Sequence, residues 1–310
     1  MPIGVQRQPY DRKSDRPVGG PTPLPDVRQF YESLPFNFDG STDEQADTVR
    51  ARNQIAVYEP LDRVLREAPP ARVLDIGSGA GWFVNSVARW YGVPACGLDF
   101  CDRAVTRARE VAESLGVSHL VDYVRGDLFA LPEALQAQRF AVVNSLGVLH
   151  HTKDCREACR IAASLVAPGG HFNLGLYHRH GRKPLLDLFE PIRQRRAAAA
   201  SEQERRDIEA EGFRTWKTLH RSTRNETFLS SWYRDQCFHP HETQWTLREV
   251  LEWFDEFGVE PLSTTLNRFQ SNPRWADVVA DEPMQETLAI SRLHEGVFFP
   301  GFFTVFGRKR

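Results

Sequence analysis

The 310-residue sequence predicts an α/β fold in which parallel strands alternate with helices. Three observations carry that prediction. Between residues 71 and 100 a strand, a glycine loop, a helix and a second strand ending in an acid follow one another. Short apolar runs then alternate with helical stretches as far as residue 178. The hydrophobic content, 41%, suits one large α/β domain with insertions, or two small domains.

The opening unit, Ala71 to Phe100, reads ARVLDIGSGAGWFVNSVARWYGVPACGLDF. Arg72 to Ile76 is a short apolar run of buried-strand type. It stops at Gly77-Ser78-Gly79-Ala80-Gly81, after which Trp82, Phe83, Val87 and Trp90 recur at helical spacing. A second run, Pro94 to Leu98, ends in Asp99. Glycines let the backbone turn sharply and approach a ligand. The first N–H groups of the helix they open have no partner within the helix. An acid about twenty residues after such a loop can accept hydrogen bonds from two ribose hydroxyls.

The dinucleotide fingerprint G-x-G-x-x-G fails here, because Trp82 stands where the third glycine belongs, and there is no G-K-[ST] of a P-loop. The pattern is D-x-G-x-G-x-G on Asp75, Gly77, Gly79 and Gly81. With its leading Val-Leu-Asp and trailing Asp99 it resembles the first motif of the class I S-adenosylmethionine (SAM)-dependent methyltransferases. The resemblance implies a Rossmann-like sheet of seven strands, mostly parallel, with an antiparallel last strand inserted between the fifth and sixth and helices on both faces. It implies SAM as cofactor, held by Asp75, Gly77, Ser78, Gly79, Gly81, Asp99 and Phe100.

The elements that follow extend the series. Arg103 to Leu115 reads as a helix and Leu120 to Val124 as a third strand, followed by Gly126-Asp127-Leu128. By resemblance Asp127 lies beside the adenine, where a carboxylate accepts from the exocyclic amine, with Leu128 next to it. Phe140 to Val143 reads as the fourth strand, followed by Asn144-Ser145-Leu146-Gly147-Val148-Leu149-His150-His151. This resembles the family's fourth motif, except that Ala141 replaces the usual Asp, a change that bears on local packing. Asn144 and Leu146 would border the methionine part of the cofactor. His150 and His151 fall at the edge where open α/β sheets place their sites, and either could be a general base or a helix cap. Asp154 to Leu165 reads as a helix, Pro168-Gly169-Gly170 as a turn and His171 to Tyr177 as the fifth strand. Tyr177 is a third candidate base.

Beyond residue 178 the pattern changes. Residues 179–245 read as an insertion, of a kind that forms the acceptor lid in small-molecule members of the family. Arg193, Arg195, Arg196, Arg205 and Arg206 invite a nucleic-acid reading, but interleaved glutamates favour a solvated helix. The run from Ser231 to Glu242 mixes aromatic and polar residues and suits a pocket wall. The pairs His178/His180 and His239/His241 would each share a face if they lay on strands, yet nothing in the sequence joins them, so no metal site is assigned. Thr246 to Phe257 is an amphipathic helix, Val259 to Leu266 the sixth strand, 268–295 a second insertion and Phe298 to Gly307 the last strand.

Ahead of the core, residues 1–26 are rich in Pro, Gly, Arg and Asp and read as a mobile tail. Residues 27–70 read as a helical cap. In it Phe30, Tyr31, Phe36 and Phe38 resemble the FY-x-x-x-PF opening that lies over the cofactor in several family members. Ser41-x-x-Glu44 is a capping box that starts a helix running to about Ala68, bent at Pro60.

A net charge of −2 argues against a dedicated duplex-binding surface. Five cysteines without a C-x-x-C pattern, no apolar signal core and no long apolar run predict a cytoplasmic protein with reduced thiols and no membrane span. The expected function is SAM-dependent methyl transfer by in-line displacement to a small-molecule acceptor. The alternatives are a tRNA or protein acceptor, non-methyl SAM chemistry, or a binding protein on a decayed scaffold. A dehydrogenase is disfavoured by Trp82. The acceptor and the oligomeric state are not legible.

Overall fold

The computed structural model describes residues 25–33, 40–69, 71–220, 225–271 and 273–310. Nearly all of the tail, and Phe36 and Phe38 of the aromatic opening, lie outside the described residues. The first helix, α1, is Pro25–Ser33. The capping box forms at the start of α2, Thr42–Ala51, where Ser41 and Glu44 bond each other's backbone N–H. The single helix expected from Thr42 to Ala68 is in fact broken. Arg52 leaves helical geometry, and Asn53 caps a one-turn 3₁₀ segment, Gln54–Val57. A new helix, α3, then spans Glu59–Glu67. Pro60 sits in its first turn, where a missing N–H costs nothing, so it begins a helix and does not bend one.

The core alternates as expected: β1 Val73–Ile76, α4 Trp82–Tyr91, β2 Ala95–Asp99, α5 Asp102–Leu115, β3 Val121–Arg125 and a single turn α6 Glu133–Gln136. Then come β4 Phe140–Leu146, α7 Cys155–Ser164 and β5 Val166–Tyr177. Strand β4 is longer than predicted, so Asn144 and Leu146 lie on the strand and not beyond it. Strand β5 also starts early and carries the Pro168-Gly169-Gly170 turn inside it, as a register shift opposite Phe140 and Val142. A Cβ on Gly170 would stand 2.8 Å from the Ala141 carbonyl, so the turn packs directly on the position where the family's acid is missing.

The seven strands run in the order β3-β2-β1-β4-β5-β7-β6. Strands β1 to β5 pair in parallel, and β7 (Phe302–Lys309) runs antiparallel between β5 and β6 (Val259–Thr264). One face is covered by α3, α4 and α5, with Leu61, Val84, Val87 and Val105 at the centre. The other is covered by α7 and α11 (Leu247–Glu256), around Leu74, Phe140, Phe172 and Phe254. Order reverses between β1 and β4, the switch point at which such sheets hold ligands.

The insertion after β5 folds into α8 Arg179–Ala198, α9 Glu202–Thr218 and α10 Glu226–Phe238, with a core of its own around Phe189, Trp216 and Tyr233. The second insertion supplies α12 Trp275–Ala280 and α13 Met284–His294, the latter packed on α8. The last strand begins at Phe302, which leaves residues 298–301 as a connecting run. Among the described residues no helix is long and apolar enough to cross a membrane.

Candidate active site

A cavity of about 540 Å³ opens beyond the carboxyl ends of the central strands. Its inner half is built from the loops after β1, β2, β3 and β4. The Gly77 and Ser78 N–H groups both donate to the Leu98 carbonyl, which ties the glycine loop to β2. Gly79 follows with φ +49°, and a Cβ placed on it would meet no protein atom. The bare backbone there faces open space that a ligand can fill. From outside, buried Gln45 of α2 donates to the Ala80 carbonyl at 2.9 Å and holds the loop's outer wall.

Asp99 accepts from the Gly79 N–H through Oδ2 and from the Cys101 N–H through Oδ1, each at 2.8 Å. Burial pushes its pKa up against these backbone bonds. The remaining lone pairs suit two ribose hydroxyls. Asp127 accepts from the Phe129 N–H at 3.0 Å through Oδ1, while its buried Oδ2 has no partner among the described residues. That orphan acceptor fits an exocyclic amine. Phe100, Leu128 and Leu146 are on the wall of the same cavity, as are Asp75, Gly77, Ser78 and Asn144. Gly81 does not line it. It is the left-handed N-cap of α4, where a Cβ would collide with the Tyr123 hydroxyl.

Asp75 and Asn144 belong to a buried polar ladder across three strands. Asn144 Nδ2 donates to Asp75 Oδ1, and Asn173 Nδ2 donates to Asn144 Oδ1, both at 2.7 Å. The three residues are register partners in β1, β4 and β5. Burial, with the Asp99 charge nearby, pushes the Asp75 carboxyl up to about 7.

The outer half of the cavity draws on α1, α10 and the 298–302 run, through Tyr31, Trp232, Asp235, Gln236, Phe298 and Phe302. Tyr31 lines the cavity, its ring 6.2 Å from that of Phe100 and its hydroxyl 3.0 Å from Asp235 Oδ1. Tyr177, at the end of β5, accepts a 2.6 Å hydrogen bond from Gln236, and burial raises its pKa. Beneath its ring, 3.8 Å away, lies the guanidinium of Arg182, which is wholly buried. Arg182 donates to both Glu242 oxygens, to the Gln236 side chain and backbone carbonyl, and to the Pro300 carbonyl. One side chain thereby ties together α8, α10, the segment after it and the run before β7. Gly301 lets this run pack against the start of α8, since a Cβ there would lie 2.2 Å from the Arg182 backbone nitrogen.

The histidines separate. His151 lines the cavity, whereas His150 is wholly buried and is not part of its lining. His151 Nδ1 lies 2.8 Å from the His241 carbonyl and so carries the proton. Its Nε2 then accepts from His150 Nε2 at 3.1 Å. Burial lowers both pKa values, that of His151 to about 3. His239, its ring tilted against that of His151 at 3.7 Å between centroids, accepts the His241 N–H on Nδ1.

Neither His-x-His pair lies on a strand, so the shared face expected for them does not arise. His178 caps α8 and meets Glu282, while His239 and His241 follow α10. The candidate ligand atoms of His151, Asp235 and His239 do come within 4.8 Å of one another. The His151 Nε2 and His239 Nδ1 lone pairs are engaged by protein N–H groups, whereas buried His239 Nε2 has no partner among the described residues.

Sequence reasoning missed Arg182, Asp235 and Gln236 as individual residues. The mixed aromatic and polar run from Ser231 to Glu242 was the one signal that touched Asp235 and Gln236, and Arg182 lies outside it.

Residues 68–227 match the family described as a methyltransferase domain. The ubiquinone biosynthesis O-methyltransferase of Ralstonia nicotianae is 35% identical over 131 residues, 41% of this chain and 52% of that protein. The norajmaline N-methyltransferase of Rauvolfia serpentina is 26% identical over 147 residues, 45% of this chain and 50% of that one. The matched region thus spans about half the length of each relative. Among solved structures, PKMT2 from Rickettsia typhi in complex with AdoHcy superposes with a TM-score of 0.56 at 15% identity, over 82% of this chain and 54% of that one. That likeness concerns the fold. With the motif series, the sheet order and the family match in agreement, the chain belongs to the class I SAM-dependent methyltransferases, and its cofactor is SAM.

Proposed function

We propose that this protein transfers the methyl group of SAM to a small-molecule acceptor held in the outer half of the cavity. The observation that carries this reading is the cover. The chain's own α1, α10 and 298–302 run close over the strand ends and leave a chamber of small-ligand size with mainly aromatic walls. A macromolecular acceptor would call for an open, charged approach. The arginines that could serve it are instead engaged: Arg195 pairs with Glu211, Arg196 with Glu209 and Arg193 with Glu190.

The cofactor supplies a methyl carbon made electrophilic by its positive sulfur. What the protein contributes is position and dryness. Asp99, Asp127 and the glycine loop fix the nucleoside end. Tyr31, Trp232, Phe298 and Phe302 exclude water from the acceptor end. Tyr177 stays protonated, and since its oxygen accepts from Gln236, its own O–H is available to hold the acceptor. His151, neutral and braced by His150 and His241, packs as a wall of fixed orientation.

The test is methyl-labelled SAM with the purified protein and separate small-molecule, RNA and protein fractions of cell extract. Label in a small-molecule product is the expected result. Label in RNA or protein would replace this reading with a macromolecular one.

A further inference from the structure

Resting on the small-molecule reading above, we propose that Asp235 is the catalytic base of this site and that the acceptor is an apolar amine. Asp235 is only 4% exposed, yet it lines the cavity. It accepts from Tyr31 through Oδ1 at 3.0 Å and from Gln236 through Oδ2 at 2.8 Å, which leaves a lone pair on each oxygen. Among the described residues it has no ion pair. The nearby Arg182 spends its donors on Glu242, Gln236 and Pro300, and its charge is balanced by Glu242.

A buried carboxylate without a counter-ion is costly, and a cationic ligand removes that cost. Apart from Arg182, the groups facing Asp235 add no competing cation. Tyr31 and Tyr177 are protonated phenols, and burial keeps His151 and His239 neutral. Trp232, Phe298 and Phe302 supply aromatic surface, which attracts an ammonium and accepts an apolar body.

The step balances simply. The bound ammonium gives one proton to the Asp235 carboxylate, and the freed nitrogen lone pair forms the N–C bond as the methyl–sulfur bond breaks, its electron pair staying on sulfur. Asp235 then releases its proton to water as product leaves. Burial, aided by Glu242 and opposed by the bonds from Gln236 and Tyr31 and by the Arg182 charge, brings the Asp235 carboxyl to about 6, a useful value for a base near neutral pH.

The experiment starts from S-adenosylhomocysteine binding, measured by calorimetry on the wild type. Failure to bind overturns the methyltransferase reading itself. With binding intact, the methyl-labelled small-molecule product is purified and its methyl bond identified by mass spectrometry and cation exchange. An N-methyl amine is expected, and an O-, S- or C-methyl product overturns the proposal. Asp235→Asn should lower kcat/KM for that product about 100-fold or more while leaving S-adenosylhomocysteine affinity within threefold. Activity within threefold of wild type, or a tenfold loss of S-adenosylhomocysteine affinity, overturns the base assignment. In Tyr31→Phe, which removes one bond to the carboxylate, the acid limb of the pH–kcat/KM profile should move to higher pH, and an unmoved limb counts against Asp235.

Discussion

The two halves of the cavity are built by different means. The inner half is local: Gly77, Gly79, Asp99 and Asp127 each sit at a strand end or in the loop that follows, and their hydrogen bonds span at most about one βα unit. The outer half is assembled over long separations, as in Tyr31 to Asp235 and Arg182 to Glu242 and Pro300. A shared cofactor can be held by short motifs on a fixed sheet. The outer half uses elements that the sheet does not supply, tied together by buried Arg182.

The sharpest way to break this contrast is to remove the tie. Arg182→Met should destabilise the protein by about 3–5 kcal/mol, because Glu242 and Gln236 are left buried without their donor. Chemical denaturation reads the loss, and a loss below 1 kcal/mol would show that the outer half does not depend on this residue. On the other side, Asp99→Ala should leave folding nearly intact and weaken S-adenosylhomocysteine binding by about 1.5–3 kcal/mol in a calorimetric titration.

Stability should also depend on pH through Asp75. The Asp75 carboxyl is raised to about 7 in the folded protein, above its unfolded value near 4. A raised acid contributes stability that is fully present below the unfolded pKa and lost as pH rises through the folded one. Asp75→Asn should therefore gain stability relative to wild type between about pH 4 and 7, by an amount on the order of 1–3 kcal/mol, with no further change above that window. Parallel thermal melts across that range test the sign. The smallest effect belongs to the surface. Arg195→Ala breaks an exposed pair with Glu211 on the insertion, and should cost less than about 1 kcal/mol and leave turnover unchanged.

What could be read beforehand follows the same division. The order of strands, the glycine loop and the strand-end acids were legible because each is written within a few residues. The break between α2 and α3 was not, because apolar spacing continues through Ile55 and Tyr58 while Asn53 quietly caps a new turn. The roles of Asn144 and Asn173 were hidden for a different reason. Only the register of β1, β4 and β5 brings them level with Asp75. Asp235 stood unmarked within a run read as a pocket wall, and Arg182 within the insertion after strand five, since nothing local announces that Tyr31, Glu242 and Pro300 arrive to bury them.

Glu282 joins distant parts of the chain in the same way. Its carboxylate, buried in the second insertion, accepts from His178 at the start of α8 and from the Leu247 N–H at the start of α11. The two insertions are therefore held to each other and to α11 through one side chain. Grafting α8–α10 from a relative without its matching 268–295 segment would strand His178, so exchange of acceptor preference between family members should succeed only when both pieces travel together.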